Sequence, residues 1–302
     1  MSSEKLHFST SVLTRTRNRD VLLFRAGHSV ANQALERVQW VIVNDGGART
    51  GVEEIAGRIS SDRVSVKVIH HDEAKGRTAA ANTAVANADA PLNILLDDDD
   101  TLAPDCLAQL KTACDANPDC VGAVGTSMAV SEKLSEDGSI AEISRSPFYS
   151  PTSRLALIDV AYRNPTPLNA VMFRKSVAEK IGGFDERVDL LEDWDFILRL
   201  LIEGDICAAP DALSYYHQRP EEDGSMGNSG VASSEDDLVK RRNAYLRQDI
   251  AAGRAGLGMI TNTRDPLTAD RLSKFLAMIG ALGGPAKSVK SLFASRRKGN
   301  TP

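Results

Sequence analysis

Between residues 9 and 96 the chain alternates apolar, strand-like runs with helix-like segments, and this alternation constrains its fold more than any other feature. "HFSTSVLTRT" reads as a short strand, and "RDVLLFRAGHSVANQAL" places Leu23, Ala26, Val30 and Ala34 at helical spacing. "VQWVIVNDGG" is an apolar strand closing on polar residues and glycine; a short helix, the strand "VSVKVIH", the alanine-rich helix "GRTAAANTAVANA" and the strand "NILL" follow. Repeated β-α-β units fold as a mostly parallel sheet with helices on both faces, and such sheets bind ligands beyond the carboxyl ends of their strands. Here those ends read Thr14-Arg15, Asn44-Asp45 and Asp97 to Asp100.

In "NILLDDDDTLAP" four adjacent carboxylates repel one another unless water or a cation intervenes. A solvated turn is the plainest reading. An EF-hand is excluded, because counting Asp97 as position one puts Leu102 at position six, where glycine is needed, and Ala108 at position twelve, where glutamate is needed. A local match to the D-x-D-x-T pattern of haloacid dehalogenase-type phosphatases, through Asp97, Asp99 and Thr101, offers a nucleophile and a general acid.

Beyond about residue 130, "SEKLSEDGSIAEISRSPFYSPTSR" is rich in serine, proline and charge and reads as a long excursion from the core. Structure resumes with the strand "NAVMF", a short helix "KSVAEKIGG" stopped by Gly182-Gly183, and the helix "EDWDFILRLL", entered through acidic residues that suit a helix N-terminus. The last segment differs in charge: residues 265–302 hold seven Lys/Arg against two Asp, while the whole chain is at −5. Asp265 and Pro266 can open a helix there, with Leu272, Phe275, Leu276 and Ile279 as its apolar stripe. The basic stretch "AKSVKSLFASRRKGN" reads equally as a soluble tail or as a peripheral contact with an anionic membrane.

Four blocks, in order, cover most of residues 9–227: "TRTRNRDVLLFRAGHSVANQALERVQWVIVNDGG", "HHDEAKGRTAAANTAVANADAPLNILLDDDDTLAPDCL", "NAVMFRKSVAEKIGGFDERVDLLEDWDFILRL" and "SYYHQRPEEDGSM". Together they resemble the family 2 glycosyltransferases of GT-A fold. The chain departs from the family's patterns where it has "TRTRNR" for "PTYN", Asn44 and Gly47 for a "DDGS" pattern, and "YYHQR" for "YRxH". The resemblance implies an α/β GT-A domain over residues 1–230, with a donor half to about 130 and an acceptor half beyond it, and a helical, basic C-terminal extension over 231–302.

The resemblance also implies a chemistry. A nucleotide-diphosphate sugar, UDP- or dTDP-linked by preference, would bind with Mg²⁺ or Mn²⁺ held by Asp97 and Asp99, and His217 is a candidate third ligand or a packing residue. Thr14, Arg15, Asp45, Arg77 and Asp98 would contact the donor, Asp45 through the imide nitrogen of the base. Asp193 would be the general base of an inverting transfer, with Glu192 beside it and Trp194 in the acceptor wall; Asp185 and Arg199 are read as structural partners. The acceptor would be a glycan or lipid-linked saccharide, as in polysaccharide assembly at the cell envelope. A non-catalytic, glycan-binding homologue is the remaining alternative. The pI near 5.6 gives no general pull toward nucleic acid. Cys106, Cys114, Cys120 and Cys207, without CxxC spacing, read as buried thiols of a cytoplasmic protein.

Overall fold

The computed structural model describes residues 8–135, 138–187, 191–219, 226, 240–245 and 248. The chain divides into two compact units, Met1–Ser234 and Glu235–Pro302. In the second, residues 240–245 are helical. The helix expected from Asp265 onward and the basic stretch after Pro285 lie outside the described residues.

The first unit opens with the expected alternation: β1 (Thr10–Thr16), α1 (Asp20–Ala31), β2 (Val38–Asp45), α2 (Arg49–Ile59), β3 (Val64–His71), α3 (Arg77–Ala86) and β4 (Leu92–Leu95). All pairings among these strands are parallel, β3 with β2, β2 with β1 and β1 with β4. β1 and β2 are buried along their whole length, as strands covered on both faces must be. Leu23, Ala26 and Val30 face the core as their spacing predicts, but α1 stops at Ala31 and leaves Ala34 exposed beyond its end.

Past β4 the sheet becomes mixed. Its elements are β5 (Thr101–Leu102), α4 (Cys106–Ala116), β6 (Gly122–Leu134), β7 (Ile140–Tyr149), α5 (Leu157–Tyr162), a 3₁₀ turn at Leu168–Ala170, β8 (Val171–Arg174), α6 (Lys175–Lys180), α7 (Glu192–Glu203) and β9 (Ile206–Gln218). The strand order is β3-β2-β1-β4-β8-β6-β9-β5, with β7 attached to β6. β8 runs antiparallel between β4 and β6, and β9 lies parallel to β6. α6 ends as read, with Gly182 and Gly183 at φ of 78° and 70°, a region that glycine enters without steric cost.

The expected excursion is corrected here. Residues 127–134 of β6 and 140–149 of β7 pair as a long antiparallel ribbon, with register shifts after Ser127 and Ser131. Because β7 is exposed along nearly all its length, its sequence lacks the apolar alternation of a half-buried strand. The four cysteines are buried and free, and no helix among the described residues is long and apolar enough to cross a membrane.

Candidate active site

β1 and β4 deliver Arg15 and the aspartate turn to the same end of the sheet, and α3 and α7 begin beside them with Arg77 and with Glu192-Asp193. These residues line one cleft of about 220 Å³, joined by Asp100, Phe148, Asn164, Asn169, Leu191 and Tyr216. The sheet thus brings together the two acidic motifs that are far apart in sequence.

Arginines answer the charge of the aspartate run. Arg15 donates to both oxygens of Asp97, at 2.7 and 3.2 Å, and its guanidinium lies 3.1 Å from Glu192. Arg77 stands 3.5 Å from Asp97 and 3.4 Å from Glu192. Arg19 bridges Asp98 and Asp99, both at 2.8 Å, and Thr16 donates to Asp98 at 2.7 Å. The fully buried Arg219 spans Asp99 and Glu132, each at 2.5 Å, while Arg25 donates to Glu132 and to the Asp99 carbonyl, each at 2.6 Å. Asp100 accepts from Asn169 at 2.7 Å and from the His217 backbone at 3.0 Å.

Each carboxylate titrates according to these partners. Burial works to raise the Asp97 carboxyl, but Arg15 and Arg77 outweigh it and hold it at about 2. Burial and the adjacent Asp99 push Asp98 and Asp100 upward. Of the charged residues in the first turn of α7, Asp195 is buried against Arg199 at 2.7 Å, so a structural ion pair accounts for it. Glu192 and Asp193 instead face the cleft. Asp193 accepts from Asn164 Nδ2 and from the Trp194 backbone, both at 2.8 Å, and burial with the neighbouring Glu192 charge pushes its carboxyl up to about 6. That value suits a group that must take a proton near neutral pH.

Other expected site residues sit differently. Thr14 is fully buried, and its hydroxyl accepts from the Trp40 indole at 2.9 Å, which places it inside the sheet rather than in the cleft. Asp45 ends β2 as expected, with its carboxylate 2.7 Å from His71 Nδ1 and accepting from the backbone N–H groups of Lys75 and Gly76 at 2.8 and 2.9 Å. Gly46 beside it has φ of 72°, and a Cβ there would fall 2.4 Å from the Ala74 nitrogen, so this turn requires glycine. His217 places Nδ1 2.7 Å from Glu132 and Nε2 2.8 Å from the Thr101 hydroxyl. Trp194 is not an acceptor wall: it is fully buried, and its indole donates to the Val160 carbonyl at 2.5 Å. Nor does Asp185 pair with Arg199; its partner is Arg187 at 2.8 Å.

Sequence reasoning missed Arg19, Arg25, Glu132, Asn164 and Arg219. Arg19 had a signal, immediately before α1 and three residues past the end of β1, and Arg25 follows it on the same helix, but Glu132, Asn164 and Arg219 become neighbours only through the tertiary fold.

Among the described residues no three His, Cys, Asp or Glu side chains gather into a metal cage. The donor set fits a hard divalent ion that takes one or two carboxylates and completes its shell with diphosphate oxygens and water. Asp97, partly exposed on the cleft wall, can serve as such a ligand, whereas the buried Asp99 has to release a guanidinium to join it.

Comparison with known proteins agrees with this geometry. The chain is 26% identical over 249 residues to the uncharacterized glycosyltransferase YwdF of Bacillus subtilis (strain 168), covering 82% of this chain and 84% of that one. Among solved structures it is similar to S. aureus TarS 1–349 in complex with UDP, with a TM-score of 0.54 and 17% identity over 71% of this chain and 62% of that chain. The match to the same fragment with UDP-GlcNAc has a TM-score of 0.59 and 17% identity, covering 80% of this chain and 67% of the fragment. The mannosyltransferase PcManGT of Pyrobaculum calidifontis, in complex with GDP-Man and Mn²⁺, matches with a TM-score of 0.54 and 15% identity over 96% of this chain and 81% of its own. The chain thus spans under two thirds of the UDP-bound TarS fragment, and these structural likenesses establish the GT-A fold. The model of "Glycosyl transferase family 2" matches residues 11–181, more than half of the chain, so this protein belongs to that family of glycosyltransferases.

Proposed function

We propose that the cleft transfers a sugar from a UDP- or dTDP-linked donor to a hydroxyl of a glycan or lipid-linked saccharide, with inversion at the anomeric carbon and Asp193 as the general base. The observation that carries this reading is the pairing, in one cleft, of cations beside Asp97 with a carboxyl raised to about 6 at Asp193. Departure of a nucleoside diphosphate builds negative charge. Arg15 and Arg77, already fixed between Asp97 and Glu192, are preorganised donors for it. Mg²⁺ or Mn²⁺ held by Asp97 and Asp99 would add Lewis-acid stabilisation of the diphosphate oxygens.

On the other side, the Asp193 carboxylate accepts the proton of the attacking hydroxyl as its oxygen bonds to the anomeric carbon. Asn164 orients that carboxylate, and Glu192 keeps it basic. The nucleobase is assigned to the end of β2, around Asp45. The Mn²⁺-bound and UDP-bound relatives support a metal-assisted nucleotide-sugar reading by family likeness.

Calorimetric titration of UDP, dTDP and GDP, with and without Mn²⁺, into the wild type and Asp99→Ala tests it. Metal-enhanced binding of one nucleotide, lost in the variant, is expected. Failure of all three to bind under either condition would overturn the donor assignment.

A further inference from the structure

Beside its charged groups the cleft has apolar lining, and part of that lining is aromatic. There Phe148 projects from the β6–β7 ribbon with 42% of its surface exposed, and its ring meets Tyr216 of β9 edge-on, with centroids 5.4 Å apart and planes at 71°. The exposed Phe148 ring, braced edge-on by the partly buried Tyr216, offers a flat aromatic face near the carboxylates and guanidiniums. The buried Trp194 cannot supply such a face.

A second feature points to the same place. Asn164 donates to Asp193 through Nδ2, which fixes the orientation of the amide, and its Oδ1 is buried without a hydrogen-bond partner among the described residues. A buried acceptor left unsatisfied is costly, so a donating group arriving beside Asp193 gains from it. A sugar combines both requirements: one face of a pyranose can present only C–H groups, and its rim carries hydroxyls. C–H groups are drawn to the electron-rich face of an aromatic ring.

We propose that the Phe148 ring, braced edge-on by Tyr216, is a platform on which an acceptor pyranose stacks, with one hydroxyl donating to Asp193 and a neighbouring hydroxyl donating to Asn164 Oδ1. This rests on the transferase reading above and specifies its acceptor as a ring sugar with a continuous C–H face. An acyclic polyol or a peptide hydroxyl has no such face.

The test is saturation-transfer NMR with methyl β-glucoside, methyl β-galactoside, methyl α-mannoside and methyl N-acetyl-β-glucosaminide, and with glycerol phosphate as the acyclic control. Spectra are read on wild type, Phe148→Ala and Phe148→Tyr, with and without UDP and Mn²⁺, and nucleotide binding is followed by calorimetry. At least one glycoside is expected to show transfer to the ring protons of one face. Binding weakens about tenfold in Phe148→Ala, the order of one aromatic contact, and is kept in Phe148→Tyr, with UDP affinity unchanged in both. Glycoside binding that is indifferent to Phe148→Ala overturns the platform, as does a wild type that binds UDP and glycerol phosphate but no glycoside. Phe148-dependent glycoside binding by a protein that binds no nucleotide upholds the platform and overturns the transferase reading instead.

Discussion

Arg15 and Asp97, 82 residues apart in the chain, meet through donations of 2.7 and 3.2 Å, and the same guanidinium reaches Glu192 at 3.1 Å. One cation therefore ties the aspartate turn to the first turn of α7. The two acidic motifs share one cation, and a change at either is felt at the other.

Replacing the base is the most direct check. Asp193→Asn should lower kcat by about 10²–10⁴-fold while leaving nucleotide affinity within about threefold, measured by transfer assay and calorimetry. The carboxyl of Asp193 is raised in the fold, so it contributes fully only below its ordinary pKa near 3.8 and weakens the fold as pH rises through about 6. The variant is accordingly expected to be at least as stable as wild type at neutral pH, which separates lost chemistry from lost structure. Wild-type turnover in Asp193→Asn would end the assignment.

The pH profile offers an independent reading. A general base works deprotonated, so kcat/KM is expected to rise with pH along a limb centred near 6. Burial comes first among the causes of that value and the Glu192 charge second. Glu192→Gln should consequently move the limb to lower pH; an unmoved limb would show that another group sets it.

Metal dependence can be read at the cleft wall. Chelation with EDTA is expected to reduce transfer by at least about 10²-fold, consistent with several kcal/mol of charge stabilisation, and Mn²⁺ to restore it. In Asp97→Ala the nucleotide should bind equally with and without Mn²⁺. If Mn²⁺ tightens binding in that variant as in wild type, Asp97 is not a ligand.

The buried network behind the aspartates governs stability. Arg219→Leu leaves Asp99 and Glu132 short of a partner and should cost about 3–5 kcal/mol, seen as a fall in the urea midpoint. Burial acts to raise Glu132, but hydrogen bonds from His217 and Arg25 hold it down to about 2. Its contribution is therefore present above its ordinary pKa of 4.5 and lost as pH falls toward 2. Glu132→Gln should flatten the acid arm of the stability curve; an unchanged arm would assign acid sensitivity to other groups.

Much of this was legible in the sequence, for reasons that particular residues make plain. Strands β1, β2 and β4 announced themselves because both their faces are covered, and the adjacent "NDGG" and "DDDD" marked the carboxyl end of the sheet. The β6–β7 ribbon escaped notice because an exposed edge strand needs no apolar pattern and tolerates Pro147. Arg199 was assigned the wrong acid, although Asp195, four residues earlier on the same helix, was the nearer candidate. The four aspartates were read as awaiting a cation, and the arginines that answer three of them lie about eighty residues before the run or far beyond it, at Arg219. Only the strand order could reveal that.

The position of Arg219 has a consequence for biosynthesis. Its guanidinium meets Asp99, 120 residues earlier, and β9, which ends just before it, pairs with both β5 and β6. A nascent chain that has emerged as far as the end of β6 has Arg19 and Arg25 to set against Asp99 and Glu132 but still lacks Arg219, the cation that joins the two carboxylates. The bridge between the two carboxylates can close only once translation has passed β9, so a ribosome-bound domain completes this end of its sheet in one of its last folding steps.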